Sequence, residues 1–397
     1  MELRRVTVIE SPVHVGRVRL CGEVVYDRAD VGAEQYWFEV PEAQAAELST
    51  AGDPWLAWLL PLAVTLHEPL RICRPVDRGL YQNVHELMAI WRAWYPHLSV
   101  VPIEADSAAG VPTSAPARTA AFFSGGVDSF FTVLRPHDAV DDLVTVWGFD
   151  VPLERADAVA RLCRRFRAVA AELEKGFVDV ATNIRTTHWR MTDWGPLSHG
   201  CALAGTALGL GRRYGQVRIA ATGGYRDLHP WGSHPLTDPL LSTGQTAVVH
   251  DGAAFTRVQK LELLVTSPVA LGALHVCWRS QSDHNCGACN KCYRTMLILE
   301  LLGARERCST FSPAPLDLGA AAKVYCAHPW DFREFQDIKA LALTRGRGDV
   351  AHAADLAMRR SRRLSQGLKV ARAFRDRRWL GRWSERLERR LLAGWIL

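Results

Sequence analysis

The sequence predicts an α/β protein organised around a doubly wound parallel sheet. From Thr119 to about Gly303, short apolar runs alternate with helix-periodic stretches, the pattern of successive βαβ units. Between the first of these runs, Ala120–Phe123, and the helix that begins at Asp128 lies a glycine pair flanked by serines. A knot of cysteines near the end of the same segment adds a structural zinc knuckle. A small α/β module precedes this core, and a basic helical tail follows it.

Composition sets the outer limits. The chain has 397 residues, long for one domain, and 48% of them are hydrophobic against 23% charged, which favours a sizeable core over disorder. The longest apolar stretch, Trp55–Val64, is short and interrupted by Pro61, so no membrane-spanning segment is expected. The opening MELRRVTVIE lacks a signal-peptide core, and a cytoplasmic protein is expected. Ten cysteines are too dilute for a disulfide scaffold, and Cys286, Cys289 and Cys292 lie so close together that they point to metal. Residues 341–397 hold 15 Lys+Arg against 5 Asp+Glu, a net +10, which leaves −4 for residues 1–340 out of the total +6. The basic character belongs to the tail.

Residues 1 to about 115 read as the separate module. Val6–Ile9, Val18–Val25 and Gln35–Val40 carry the apolar patterning of strands. Asp53-Pro54 opens an apolar helix, and a strand at Leu70–Cys73, a helix over Leu80–Trp94 and a strand near Leu98–Ile103 complete the module. Trp55, Trp58, Trp91 and Trp94 fall at helical spacing and read as core or domain contact. Ser107–Arg118, rich in Ser, Ala, Pro and Gly, reads as a linker to a domain spanning 119–310, with a third region at 311–397.

The core begins with the loop Ser124-Gly125-Gly126-Val127-Asp128-Ser129. Adjacent glycines let the backbone take positive φ, so that successive amides can converge on an anion, and the helix behind contributes its positive end. Ser124 and Ser129 supply hydroxyl donors, while Asp128 can cap the helix or meet a cation such as Mg²⁺. Neither the dinucleotide pattern G-x-G-x-x-G nor the Walker loop is present. The SGGxDS arrangement resembles that of the PP-loop ATP pyrophosphatases, of the adenine nucleotide alpha hydrolase-like fold. The resemblance implies ATP as cofactor, transfer of AMP to an acceptor oxygen, and release of the pyrophosphate that the loop wraps.

Further strands are expected at Leu143–Trp147, Phe177–Ala181 and Val217–Ala221, with helices over Arg155–Glu174 and His199–Tyr214. In such sheets ligands sit beyond the carboxyl ends of the strands. The resemblance makes Gly148 and Phe149 candidates for backbone contact with adenine; a plain turn is the alternative. Gly223–Gly244 is a long Pro- and Gly-rich loop, read as the acceptor loop with Tyr225, Ser233, His234 and Asp238 at the site. The alternative is an Ω-loop whose polar groups satisfy one another. Arg257 and Lys260, one turn apart on the next helix, could meet the β- and γ-phosphates, and Lys260 with Glu262 fits the family's K-x-E pattern.

Cys277, Cys286, Cys289 and Cys292 form C-x₈-C-G-x-C-x-x-C, four soft ligands for a closed tetrahedral Zn²⁺. An iron–sulfur cluster, or His284 in place of Cys277, stays open. The other six cysteines read as buried thiols. With this motif the resemblance narrows to the 7-cyano-7-deazaguanine synthase branch, over about Thr119–Gly303. That branch adenylates a deazaguanine carboxylate, lets ammonia displace AMP to give an amide, and dehydrates the amide to a nitrile; its zinc is structural. The extra module, the basic tail and the lack of a Tyr-Pro-Asp-Cys-Arg run depart from it, so a different or enlarged acceptor is expected, with ammonia or an amine as donor. Modification of tRNA, with base thiolation or amination, and ATP binding without turnover remain as alternatives.

The tail opens with a helix over Trp330–Leu343. Gln366–Trp395 then places apolar residues at helical spacing with arginines between them. Such a face suits the protein's own body or a twin subunit, and also an acidic membrane or nucleic acid.

Overall fold

The computed structural model describes residues 1–28, 31–108, 118–136, 140–277, 279, 283–373, 391–392 and 394–396. The chain divides into two compact units, Met1–Ala254 and Phe255–Leu397.

The first unit is built on one ten-stranded sheet, for the most part parallel. In chain order its elements are β1 (Glu2–Glu10), β2 (Arg17–Val25), β3 (Glu34–Pro41), α1 (Asp53–Leu66), β4 (Leu70–Asp77), α2 (Arg78–Trp94) and β5 (Ile103–Ala108). There follow β6 (Arg118–Phe122), α3 (Val127–Leu134), β7 (Asp142–Trp147), α4 (Ala156–Glu172), β8 (Gly176–Thr182), α5 (His199–Gly209), β9 (Tyr214–Ala220) and β10 (Ala247–Asp251). The strands lie in the order β10-β9-β6-β7-β8-β3-β2-β1-β4-β5. From β10 to β8 every pairing is parallel, and β6 and β7 show the buried apolar runs that such strands require.

The division expected near residue 115 is not where the compact units part. β3 pairs antiparallel with β8, Phe38 opposite Thr182 and Glu39 opposite Ala181, so the N-terminal strands extend the core sheet. Period-2 patterning marks a strand but does not say which edge it closes. Arg17 crosses this seam, its Nε 2.9 Å from Glu39 and its Nη1 2.8 Å from Asp179. The helices follow suit: Trp58 of α1 fits against Gly205 of α5, where an added Cβ would stand 1.9 Å from the indole, and its Nε1 donates to the Ala202 carbonyl at 2.9 Å. Trp55, Trp58 and Trp91 are fully buried, as their spacing suggests.

Three further differences have local causes. The strand expected at Leu98–Ile103 begins only at Ile103, after Pro102, which has no amide to give to a ladder. α5 stops at Gly209, and Tyr214 already belongs to β9. β10 was not expected at all; its five residues, AVVHD, are too short to stand out from the polar loop before them.

The second unit is helical: α6 (Arg257–Leu264), α7 (Pro268–Ala273), α8 (Asn290–Leu301), α9 (Leu318–Ala321), α10 (Pro329–Thr344) and α11 (Gly348–Ala373). α10 and α11 pack together, with Lys339 and Asp355 paired at 2.7 Å. The tail helix starts at Gly348, well before the expected Gln366, and residues 374–390 of that expectation lie outside the described residues. The chain's end returns to its own unit. Tyr325 N donates to Ile396 O at 2.8 Å, Ile396 N donates to Lys323 O at 3.0 Å, and Trp395 stands edge-on to Tyr325. No described helix is long and apolar enough to cross a membrane.

Candidate nucleotide site and metal centre

Within the parallel half of the sheet, β6 is the strand at which the order reverses. The chain leaves β6 for β7 and β8 on one side, then returns across it to β9 and β10 on the other. Such a switch point opens a crevice at the carboxyl end of the strand, and the residues found there are Ser124–Ser129.

The loop is held by its own hydroxyls. Phe123 N donates to Val144 O at 2.8 Å, which carries the strand one residue past Phe122. Gly125 is buried and turns at φ +71°, a conformation that a side chain would oppose. Ser129 Oγ donates to Gly126 O at 3.1 Å and accepts from Ser124 N at 3.3 Å; Gly126 N reaches Ser124 Oγ at 3.4 Å. Gly126 occupies the N-cap of α3, and no side chain caps the helix there. Asp128 is half-buried in the first turn of α3, and Val127 is buried beneath it. The far end of α3 is fixed to β10: Thr132 Oγ1 donates to Asp251 at 2.7 Å, and Arg135 pairs with the same carboxylate.

Gly148 follows β7 with φ +94°, and its amide donates to Val151 O at 2.9 Å. An added Cβ would lie 2.1 Å from Thr182 O, so glycine is needed here for packing whether or not a base is bound. The Phe149 ring is buried, edge-on to Trp194 with centroids 5.2 Å apart.

The loop after β9 is turned inward where it was expected to face an acceptor. Asp238 is fully buried and accepts from Ser233 Oγ at 2.6 Å, from His234 N at 3.1 Å and from the His250 imidazole at 2.8 Å. Burial pushes the His234 imidazole below the ordinary histidine range, and its ring meets Trp94 edge-on. Ser233, His234 and Asp238 therefore hold the loop together, because a buried carboxylate must be surrounded by donors. Tyr225 is the exception, exposed and tied only at its backbone to Ala253 O. The sequence reading missed His250, which lies on the unexpected β10.

It also missed a group beside Gly148. Arg185, just past β8, lays its guanidinium over the Trp194 ring at 4.3 Å. Trp194 opens a wide turn in which Ser198 N donates to Asp193 O at 3.1 Å, the i→i+5 bonding that often accompanies functional sites. His199 Nδ1 lies 3.0 Å from Trp194 O, and burial depresses its basicity. The density of tryptophan in Trp189-Arg-Met-Thr-Asp-Trp194 was the available signal.

Arg257 and Lys260 belong to the second unit. Lys260 is buried in α6, and Arg257 is paired with Glu334 at 3.1 Å, a carboxylate that Arg294 shares. Glu262 of the same helix is exposed.

Four cysteines form a candidate metal centre. The sulfurs of Cys277, Cys286, Cys289 and Cys292 all lie within 4.8 Å of one another, with Cys277–Cys289 at 4.0 Å and Cys286–Cys292 at 3.8 Å. A tetrahedral ion with Zn–S of ~2.3 Å needs sulfurs ~3.8 Å apart, so the donor set fits zinc. His284 is not in the cluster. Asn285 aligns the two arms: its Oδ1 accepts from Val276 N and Cys277 N, and its Nδ2 donates to Leu274 O and Thr310 Oγ1. Cys289 occupies the N-cap of α8 without a side-chain capping bond, and hydrogen bonding from Cys292 holds its thiol below the ordinary cysteine range. Of the remaining cysteines, Cys73 is exposed and Cys163 half-buried rather than buried, since both sit on outward positions of their elements.

Comparison of the chain with family models, with curated proteins and with solved structures finds no match.

Proposed function

We propose that this protein is an ATP-dependent ligase of the PP-loop ATP pyrophosphatase type, on the doubly wound fold of that family. The observation that carries the reading is the seryl-glycyl loop at the carboxyl end of β6, with Gly125 at φ +71° and an uncapped helix behind it, at the point where the strand order reverses. A loop of this kind suits a polyphosphate better than a neutral ligand, because amides and a helix end favour negative charge.

Mg²⁺-ATP lies with its β- and γ-phosphates on Ser124–Ser129, and Asp128 meets the accompanying cation. An acceptor carboxylate oxygen attacks the α-phosphorus and the bond to the β-phosphate oxygen breaks, so that pyrophosphate leaves and an acyl-adenylate forms. Ammonia or an amine then attacks the acyl carbon, AMP departs with the bond electrons, and the nitrogen gives up its proton to water. Positioning and electrostatic stabilisation carry the rate, and no covalent nucleophile is required. Zinc at the four cysteines shapes the fold and takes no part in the chemistry. The acceptor class resembles that of 7-cyano-7-deazaguanine synthases, enlarged or altered.

The test is pyrophosphate release from ATP across a panel of carboxylate and deazapurine acceptors, with mass detection of AMP adducts. Asp128→Ala should abolish release. ADP and orthophosphate as products would sink the reading.

A further inference from the structure

The Arg185–Trp194 pair has no role in the scheme above. Trp194 meets Phe149 edge-on at 5.2 Å and Trp189 edge-on at 5.8 Å, with His199 tilted against it at 6.0 Å, so its ring is packed by three neighbours. The Arg185 guanidinium carbon lies 4.3 Å from the centre of that ring, and the residue is half-buried. Among the described residues no carboxylate lies within ion-pair distance of it; Asp150, which is exposed, acts on it only through space. An arginine spent on structure would be expected to fork onto an acid, as Arg17, Arg118 and Arg213 do in the same unit. Arg185 instead sets its guanidinium against the Trp194 ring.

Its place in the sheet says what the pair is for. Arg185 follows β8 by three residues, and Thr182 at the end of β8 abuts Gly148. The platform and the Gly148–Phe149 backbone therefore share one neighbourhood at the carboxyl edge. Two strand spacings, about 10 Å, separate β8 from β6 and its loop. That is the order of distance between the base of a nucleotide and its terminal phosphates. A guanidinium plane stacks on a planar heteroaromatic ring while its edge donates hydrogen bonds.

We propose that Arg185, seated on Trp194, is the stacking platform for the adenine ring of ATP. This rests on the nucleotide reading above, and the probes are chosen to separate the two. Full-length protein is titrated calorimetrically with Mg²⁺-ATP and, separately, with Mg²⁺-tripolyphosphate, which has the phosphates without the base. Arg185→Ala should weaken ATP about tenfold or more and leave tripolyphosphate within about twofold of wild type. Arg185→Lys, which keeps the charge and loses the plane, should behave like Arg185→Ala toward ATP. Equal weakening of both ligands would make Arg185 a plain charge and overturn the proposal. So would unchanged ATP binding in Arg185→Ala, or wild-type binding restored in Arg185→Lys, which would hand the platform to some other ligand or to none. If the wild type binds neither probe, the nucleotide reading itself fails.

Discussion

A carbonyl oxygen 2.1 Å from where a Cβ would stand, together with φ +94°, leaves no side chain admissible at Gly148. Gly148→Ala should lower stability by about 2 kcal/mol or more, read as a shifted urea midpoint, because backbone cannot yield as a flexible side chain would. Asp238 poses a sharper question, since the sequence offered it as a substrate ligand and the structure surrounds it with Ser233, His234 and His250. Asp238→Ala strands three donors in the interior and should cost about 3 kcal/mol in the same measurement. If stability were unchanged while turnover fell, the residue would be a ligand after all. Residue type alone cannot separate these cases. Serine, histidine and aspartate in a loop look alike whether they face a substrate or one another, whereas the glycine pair and the cysteine spacing are legible because few other structures need them.

At the scale of elements, the start of α1 carries a titration that can be followed. Asp53 sits in its first turn and accepts from Asp77 N at 2.6 Å, while Asp77 in turn caps α2 through Leu80 N. Burial raises the Asp53 carboxyl from its ordinary 3.8 to about 6. A raised carboxyl favours the folded chain while it is protonated, so this contribution is complete below about pH 4 and is lost as pH rises to about 6. Asp53→Asn keeps the acceptor and removes the charge. Urea unfolding should show the variant gaining on wild type between pH 4 and pH 6, by about 2 kcal/mol for a partly exposed group, and level above that. An advantage that is the same at every pH would rule out this titration. The elements themselves were mostly legible, since periods of 2 and 3.6 residues announce strand and helix. What periodicity could not convey was partnership: nothing in Glu34–Pro41 says that its edge meets β8, and so one sheet looked like two modules. β10 escaped for another reason, being five residues long with only Val248 and Asp251 of its residues buried.

At the scale of the whole molecule, the cysteine cluster and the Ser124–Ser129 loop belong to different compact units, the loop to Met1–Ala254 and the four cysteines to Phe255–Leu397. Among its described residues the second unit has no sheet, and its knuckle joins Cys277 to α8 through sulfurs that carry no disulfide. A site whose ligands must be deprotonated and brought together converts metal-binding energy into folding energy, since the unfolded chain has no such site. The protein should therefore hold about one equivalent of zinc. Chelation should raise amide exchange first and most in 255–373, around α8 and the Asn285 cross-links, while β6, α3 and the rest of the parallel sheet keep their protection. Cys289→Ser, which removes a fully buried ligand, should reproduce that pattern without a chelator. Exchange rising equally in both units would mean that they unfold as one cooperative body. Protection unchanged throughout would mean that the four thiols, though correctly spaced, bind no metal that matters to the fold.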